Sequence, residues 1–343
     1  MKQTIKDLID ISAYAGNRVD YTQGGGGNTS VKNFDNGTML IKASGYKLKD
    51  ITETTAFVAV DRNKIADYYN SVDLKVEKDY EKESAALAKG SVIPIANLEV
   101  LRPSVEVGFH AILKKYVIHT HSVYGNLLTC AVDGEKIAAK LFKDKDYGYI
   151  FLPYINPGFE LTLAMMKGIE KYQTEKGKYP EVIFMKNHGL VVNGDYIDRV
   201  KAVNTDVNET IRKYFGIPDD FRTIKLDTTP TGFCSATKVV NDFVKENGLG
   251  VEYLDENPLY PDQLVYLNNI LHNSPDTLVV KDGKVYYNTD IKQATTLEET
   301  LAAYLFIMTN LKKNGLAVSK MNEKEVAFIN GWEAEKYRRS VKS

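Results

Sequence analysis

The sequence is poor in cysteine, which argues against a protein held together by disulfide bonds. Of its 343 residues only two are cysteines, Cys130 and Cys234, which lie far apart and belong to no CxxC pair. A disulfide framework is therefore not expected, and the reducing cytoplasm is the predicted location. We interpret both cysteines as structural residues.

The chain also lacks an excess of charge and any long apolar run. Lys and Arg number 44 against 45 Asp and Glu, a formal net charge of −1. This balance gives no support for nucleic acid or a membrane surface as a partner. No apolar run approaches the ~20 residues that a membrane span needs, and the first residues resemble an amphipathic helix rather than a signal peptide. With 43% hydrophobic residues, we expect a soluble globular protein of one large domain or two smaller ones.

Histidine is scarce as well, but three of the five histidines follow apolar runs. His119 and His121 close the run that begins at Tyr116, and His188 follows the run 182–185. Residues i and i+2 of a β-strand project from the same face, so His119 and His121 are predicted to lie side by side. Three neutral imidazoles are a usual ligand set for a catalytic Zn²⁺, with one position left for substrate. The alternative interpretation is a pair of ordinary histidines at a strand end.

Three segments upstream of these histidines are rich in small residues that can bind an anion. Residues 24–27 are four glycines, but no Gly-Lys-[Ser/Thr] follows and the pattern is not a dinucleotide fingerprint. Successive glycine N–H groups next to small polar side chains can instead form an anion nest. A small-residue turn and a predicted helix start offer further donors, so the three segments together predict a phosphate site. The candidate contacts are Asn28, Thr29, Ser44, Gly45 and Ser104.

Glu106 is the fourth element of the predicted site. Pro103 and Ser104 are typical of a helix start, which predicts a helix through about residue 115 with Glu106 in its first turn. From there the carboxylate can reach a metal ion or an acidic proton of a bound substrate. The alternative is an exposed glutamate favoured by the helix dipole. We interpret His110, one turn later, as a packed or hydrogen-bonded histidine.

The order of the elements predicts an α/β fold. Irregular crossovers and hairpin signals such as Asn36-Gly37 favour a mixed, largely antiparallel sheet over a doubly wound parallel one. The segment 75–90 is highly charged and predicts a solvated helix, whereas 131–150 shows no motif. From about residue 222 the pattern changes, with a linker-like turn at 228–232 and then a clear hairpin. We predict a catalytic domain over residues 1–222 and a C-terminal α+β extension over residues 223–343.

Five motifs resemble, in order, those of the class II aldolase and adducin family. They are Gly-Gly-Asn-Thr-Ser (26–30), Ala-Ser-Gly (43–45), Pro-Ser-Val-Glu (103–106), His-Thr-His (119–121) and Lys-Asn-His-Gly-Leu (186–190). The family includes fuculose- and rhamnulose-1-phosphate aldolases and ribulose-5-phosphate 4-epimerases. The match covers about residues 5–215, and the segment 152–161 most resembles the aldolase portion of long rhamnulose-phosphate aldolase/dehydrogenase fusions. The resemblance implies a three-layer fold with a central mixed sheet flanked by helices.

The resemblance also implies a role for each motif. His119, His121 and His188 would bind one Zn²⁺ per chain, or another divalent transition metal, and Glu106 would be the catalytic acid/base. The substrate phosphate would contact Asn28, Ser44, Gly45 and Ser104. The implied reaction cleaves a ketose 1-phosphate to dihydroxyacetone phosphate and an aldehyde through a zinc-bound enediolate. The aldolases carry Glu where the 4-epimerases typically carry Asp, so Glu106 favours aldol cleavage.

Several alternatives stay open at this stage. A sugar-phosphate epimerase, decarboxylase or dehydratase would use the same metal triad, and a non-enzymatic adducin-like interaction module would be a different class of protein. The aldolases borrow a catalytic Tyr or Glu from a neighbouring subunit, so the resemblance implies a homo-oligomer, for which a tetramer is plausible. Tyr147, Tyr149 and Tyr154 are the candidates for such a residue in this chain.

Overall fold

A computed structural model describes residues 1–96, 98–218 and 221–331, and its centre is an eight-stranded sheet. The strands are β1 (Asn28–Asn33), β2 (Thr38–Lys42), β3 (Phe57–Asp61), β4 (Val92–Ile93), β5 (Tyr116–Thr120), β6 (Gly148–Leu152), β7 (Pro180–Met185) and β8 (Gly189–Gly194). Their order is β4-β3-β2-β1-β5-β8-β7-β6, and of these neighbours β6 and β7 alone run parallel. The predicted mixed, largely antiparallel sheet is confirmed.

Helices cover both faces of this sheet. They are α1 (Lys2–Gly16), α2 (Arg62–Ser71), α3 (Tyr80–Lys89), α4 (Val107–Ile112), α5 (Val123–Thr129), α6 (Gly134–Phe142), α7 (Phe159–Lys176) and α8 (Ile197–Tyr214). Alternation along β5 sends Tyr116 and Ile118 into one hydrophobic cluster and Val117 into another. The cluster of Val117 also contains residues of α4 and α7. Since His119 has the same parity as Val117, its side chain faces the layer of α4 and α7.

The helix predicted from Pro103 is shorter than expected, and its predicted start was wrong. Helix α4 begins at Val107, and Glu106 is its N-cap residue rather than a residue of the first turn. Pro103 instead forms an isolated antiparallel bridge with Ala43, just beyond the end of β2. The fixed φ of proline suits an extended segment as well as a first helical turn, so the local pattern did not distinguish the two.

Other elements also differ from the sequence prediction. The region 131–150, which shows no motif, contains α6 and β6, and the charged segment 75–90 is helical only over α3. The linker-like turn at 228–232 is the turn of a hairpin between β9 (Leu226–Thr229) and β10 (Gly232–Ser235). A Thr-Pro-Thr-Gly turn joins two strands as readily as two domains, so the pattern predicted the turn but not the strands beside it.

The C-terminal region forms a second, four-stranded sheet with its own helices. The predicted hairpin is confirmed as β11 (Leu278–Lys281) and β12 (Lys284–Tyr287), and the strand order is β11-β12-β10-β9. The helices are α9 (Lys238–Asn247), α10 (Val251–Glu256), α11 (Asn269–Asn273), α12 (Ile291–Lys313) and α13 (Glu323–Gly331), with a π-helical segment at Gln263–Asn268. Residues 332–343 of the predicted extension lie outside the described residues. Among the helices of the described ranges, none combines the length and the apolar composition that a membrane span requires.

Candidate metal centre

Three buried histidines converge at one edge of the central sheet. His119 is on β5, His121 follows two residues later, and His188 lies in the tight turn between β7 and β8. Asn187 adopts a left-handed φ of 51° in that turn, which turns the chain back into β8. One nitrogen atom from each histidine lies within 4.8 Å of the others, an arrangement that can hold a metal ion. The structure therefore brings together the three imidazoles that the sequence pattern marked.

The hydrogen bonds of His119 and His121 determine which nitrogen atoms face each other. His119 Nδ1 lies 3.1 Å from the carbonyl oxygen of Leu190, and His121 Nδ1 lies 2.5 Å from Asp262 Oδ2. Because these oxygens are acceptors, each Nδ1 carries a proton, and a ring without a second proton keeps a lone pair on Nε2. The two Nε2 atoms are 3.1 Å apart, so two lone pairs point at each other. This contact needs a cation between the rings.

A metal ion can occupy the position between the rings. Burial, the largest influence, lowers the pKa of His119 to about 3, so the ring is neutral at physiological pH. Among the described residues, the buried His188 Nδ1 has no hydrogen-bond partner. Neutral imidazole nitrogens are ligands for divalent transition metals such as Zn²⁺. The donor set is thus consistent with the expected metal.

Glu106 lies against the histidine cluster. Its Oε1 is 3.1 Å from His188 Nε2 and its Oε2 is 3.5 Å from His119 Nε2, and the residue is 6% exposed. Burial alone would raise the pKa of Glu106, but the ring nitrogens around it, including a hydrogen bond with His188, outweigh burial and hold that pKa well below its usual value. The side chain is therefore a carboxylate, placed where it can exchange a proton with a group bound at the cluster.

Asn28 fixes the orientation of this carboxylate. In the register of β1 and β5, Asn28 lies directly opposite His119. Its side-chain Nδ2 donates a 2.5 Å hydrogen bond to Glu106 Oε2, while its buried Oδ1 has no partner among the described residues. The amide thus holds Glu106 and leaves one acceptor available to a ligand.

A cleft beside the histidines contains most of the predicted phosphate contacts. The bridge between Ala43 and Pro103 brings Ser44 and Ser104 next to each other, although they are distant in sequence. The space between the lining atoms of the cleft, counted together with the adjoining open solvent, is about 450 Å³. Its lining residues are Gly25, Gly27, Asn28, Lys42, Ser44, Gly45, Ser104, Val105, Glu106, His121, Pro157, His188, Pro261 and Asp262.

Thr29 is the predicted contact that the structure places elsewhere. Successive residues of a strand face opposite sides, so Thr29 points away from the side of Asn28. Its hydroxyl lies 2.6 Å from that of Ser12 on α1, and both side chains are buried. Thr29 therefore connects β1 to a helix instead of lining the cleft.

The glycine loop also differs from the predicted anion nest. The N–H of Gly24 donates to Glu299 Oε2 over 2.9 Å, and that of Gly25 donates to the hydroxyl of Tyr266 over 3.1 Å. The N–H of Gly26 closes a turn with the carbonyl oxygen of Gln23. Three of the four predicted donors thus have protein partners, and two of those partners belong to the C-terminal region.

Two residues that line the cleft were not found from the sequence. Lys42 is 2% exposed, and its Nζ donates to the carbonyl oxygens of Tyr46 at 2.7 Å and Gly25 at 3.2 Å. The sequence signal for Lys42 was a lysine at the end of the apolar strand β2. Asp262 lies in a proline-flanked stretch that carries no local signal of a role at the histidines.

The tyrosine candidates lie away from the cleft in the described part of the chain. The hydroxyl of Tyr147 donates to Asp206 over 2.6 Å, and the ring of Tyr149 packs on Phe184. Tyr154 packs against the cluster of Leu264, Val265, Met321 and Ile329. None of the three is a lining residue, so the structure does not support them as catalytic groups within one chain. His110, by contrast, is buried with its Nδ1 2.8 Å from Ser30 Oγ, which agrees with its interpretation.

Comparisons with known proteins agree with this geometry. The family model described as the class II aldolase and adducin N-terminal domain matches residues 6–215. Among curated proteins, none matches the chain. The solved N-terminal class II aldolase domain of a Thermoplasma acidophilum protein is 24% identical, with a TM-score of 0.51, and the match covers 62% of this chain and 94% of that one.

Two further solved structures are similar, with lower TM-scores. An L-fuculose 1-phosphate aldolase is 20% identical, with a TM-score of 0.43 and coverage of 64% of this chain and 92% of its own. A sugar-phosphate aldolase from Thermotoga maritima is 15% identical, with a TM-score of 0.43, and the match covers 64% of this chain and 99% of that one. Because the family model spans more than half of the sequence, the chain belongs to the class II aldolase and adducin family.

Proposed function

We propose that this member of the class II aldolase and adducin family is a zinc-dependent aldolase that cleaves a ketose 1-phosphate. The products would be dihydroxyacetone phosphate and an aldehyde, from a substrate of the rhamnulose or fuculose type. The observation that carries the proposal is the convergence of three buried imidazoles and one buried carboxylate on a cleft lined by small polar residues. His119, His121 and His188 would hold the metal.

The bound metal would supply a Lewis acid that polarises the ketose carbonyl group. The chain itself provides the proton transfer, for which Glu106 is the residue at the cluster. As a carboxylate, Glu106 can take up a proton from water, and in the protonated form it can give that proton to C3, the carbon released when the C3–C4 bond breaks. The C4 hydroxyl group would lose its own proton to a second base as it becomes the aldehyde carbonyl. The hydrogen bond from Asn28 Nδ2 keeps one oxygen directed toward His119 while the other faces His188.

The far end of the cleft would bind the phosphate. The hydroxyl groups of Ser44 and Ser104 and the backbone at Gly45 are the proposed donors. Lys42 adds positive charge behind them, but its ammonium group already donates to backbone carbonyl oxygens and so holds the surrounding loops. Binding energy at the phosphate, remote from the reacting carbon, would position the substrate for reaction at the metal.

The second candidate is another enzyme with the same ligand set: a sugar-phosphate epimerase, decarboxylase or dehydratase. Glu106, a residue type associated with the aldolases of the family, favours cleavage over epimerisation. A non-enzymatic interaction module would have no use for a buried carboxylate within 3.5 Å of two imidazoles. We also propose that the working protein is a homo-oligomer in the cytoplasm.

A substrate panel tests the proposal. Zinc-loaded protein would be incubated with ketose 1-phosphates and with the corresponding unphosphorylated ketoses, and dihydroxyacetone phosphate would be measured with a coupled dehydrogenase. We expect its release from at least one ketose 1-phosphate and none from the matched Glu106→Gln protein. Interconversion of pentulose phosphates without cleavage, or release of carbon dioxide from an oxo acid phosphate, would replace the aldolase by one of the alternatives. Zinc-bound protein that turns over none of these compounds would contradict an enzymatic role.

A further inference from the structure

The C-terminal region contacts the proposed site at several separate points. Glu299 of α12 accepts the N–H of Gly24, and the hydroxyl of Tyr266 accepts that of Gly25. Asn187, next to the ligand His188, donates from Nδ2 to the carbonyl oxygens of Leu259 at 2.8 Å and Ser319 at 2.7 Å. Both the glycine loop and the turn that carries His188 are therefore anchored by residues beyond the family match at 6–215.

The most direct contact is between Asp262 and the ligand His121. Asp262 is fully buried, and its Oδ2 lies 2.5 Å from His121 Nδ1 across 141 residues of sequence. The same carboxylate packs on the backbone of Gly26, where a methyl group would overlap it. Its position is therefore constrained from two sides, and its oxygen is directed at the ring nitrogen that does not face His119.

We infer that Asp262 is a positioning residue of the metal centre, supplied to His121 by the C-terminal region of the same chain. This inference rests on the proposed function, because it takes the histidine cluster to be a metal site. A carboxylate that accepts the Nδ1 proton fixes the ring orientation and directs the Nε2 lone pair at the metal. It also makes the imidazole a stronger donor, since negative charge beside the Nδ1 proton increases the electron density on Nε2.

At His119 the Nδ1 proton is accepted by the backbone carbonyl oxygen of Leu190 instead, and this acceptor carries no charge. The two ligands from the His-Thr-His motif thus have different partners, one from the sheet and one from the C-terminal region. The packing of the C-terminal region against the glycine loop places the charged carboxylate of Asp262 next to the buried ring of His121. The C-terminal region would therefore be part of the metal centre rather than an independent appendage.

Metal affinity of full-length variants tests this inference. Asp262→Asn keeps the size of the side chain and removes its charge, and Asp255→Asn is the matched control in the same region, where Asp255 binds Asn268 and His272. Dissociation constants for Zn²⁺ would be measured by competition with a chromophoric chelator, and Co²⁺-loaded proteins would be compared by visible absorption. We expect Asp262→Asn to bind Zn²⁺ about 10- to 100-fold more weakly, with altered Co²⁺ bands, and Asp255→Asn to match the wild type. Asp262→Glu, which restores the charge, should recover part of the affinity.

The outcomes separate this inference from the function on which it rests. Wild-type zinc affinity and Co²⁺ bands in Asp262→Asn would overturn the role of Asp262, while the aldolase proposal would stand. A wild-type protein that binds no metal would overturn both. If circular dichroism shows that Asp262→Asn does not fold, the smaller Asp262→Ser variant provides the same comparison, with the same expected loss.

Discussion

Gly26 and Asp262 are packed so closely that a side chain on the glycine would occupy the place of the carboxylate. The added Cβ would also lie 2.8 Å from His121 Nδ1. The glycine loop, a proposed metal ligand and the C-terminal region therefore meet at one point with no room for a methyl group. The contact between Asp262 and His121 therefore requires glycine at position 26.

Gly26→Ala should therefore weaken metal binding without altering any ligand. The methyl group would push Asp262 away from His121, so we expect a loss of zinc affinity of the same order as in Asp262→Asn, about 10- to 100-fold. Titration against a chelator measures it. Gly331→Ala is the control, because a Cβ at that glycine meets none of the described residues within 4 Å. Equal zinc affinity in the two variants would contradict the packing argument.

His121→Ala should lose the metal. With two imidazoles left, the site lacks a ligand of the proposed set, and we expect well under one zinc per chain after dialysis, against one in the wild type. Elemental analysis of purified protein gives the ratio. His272→Ala removes a histidine whose side chain is 55% exposed, and this control should keep its metal. Full metal content in His121→Ala would exclude the proposed ligand set.

Glu106→Gln should abolish most of the turnover and leave the metal in place. Gln has nearly the same shape, so the packing is kept and the proton-accepting oxygen is lost. General acid–base catalysis typically contributes about 10²–10⁴-fold, which sets the expected loss in kcat. Glu135→Gln, on the exposed surface of α6, serves as the control. If Glu106→Gln retained more than about a tenth of wild-type turnover, Glu106 would not be the acid/base.

Light scattering should show a multiple of the 38.5 kDa chain mass. In the part of the chain that the structure describes, the ionisable side chains lining the cleft are Lys42, Glu106, Asp262 and the histidines His121 and His188. Each of these already has a proposed role or a protein partner, so a neighbouring subunit is expected to provide the base that takes the proton of the C4 hydroxyl group as it becomes the aldehyde carbonyl. A closed symmetric oligomer would complete every site in this way. A monomeric mass in a fully active sample would show that the same chain provides that group.

Glu81 should make stability depend on pH. Its Oε1 accepts the N–H of Phe159 at the start of α7, and burial raises the pKa of Glu81 to about 7. A carboxyl group with a raised folded-state pKa stabilises the protein fully below its unfolded value, near 4.5, and this contribution is lost as pH rises through about 7.

Urea unfolding of the wild type and of Glu81→Gln at pH 5, 6, 7 and 8 measures this effect. Gln does not titrate, so the difference between the two proteins isolates Glu81 from the other groups. We expect the stability of the wild type relative to the variant to fall across this range. A difference that stays constant, or grows with pH, would show that the carboxyl group is not perturbed in the folded protein.

The local geometry of the site could be predicted from the sequence because it depends on the backbone period. His119 at the end of β5 and His121 just beyond it point to the same side, since side chains alternate along an extended chain, and His188 follows the apolar run that forms β7. The motifs at 26–30 and 43–45 likewise mark positions where small residues approach the cleft. The mixed sheet followed from irregular crossovers and hairpin turns, which are also short-range signals.

The partners of these residues were decided only by the tertiary structure. Asp262 reaches His121 across 141 residues, and Glu299 reaches Gly24 across 275. The bridge from Ala43 to Pro103, which replaces the predicted helix start, is also a contact between segments far apart in sequence. Periodicity specifies the direction of a side chain on its own element, but it carries no information about which distant segment packs against it. The C-terminal region therefore carries no local signal of its contacts with the histidine site, although it supplies the carboxylate that touches His121.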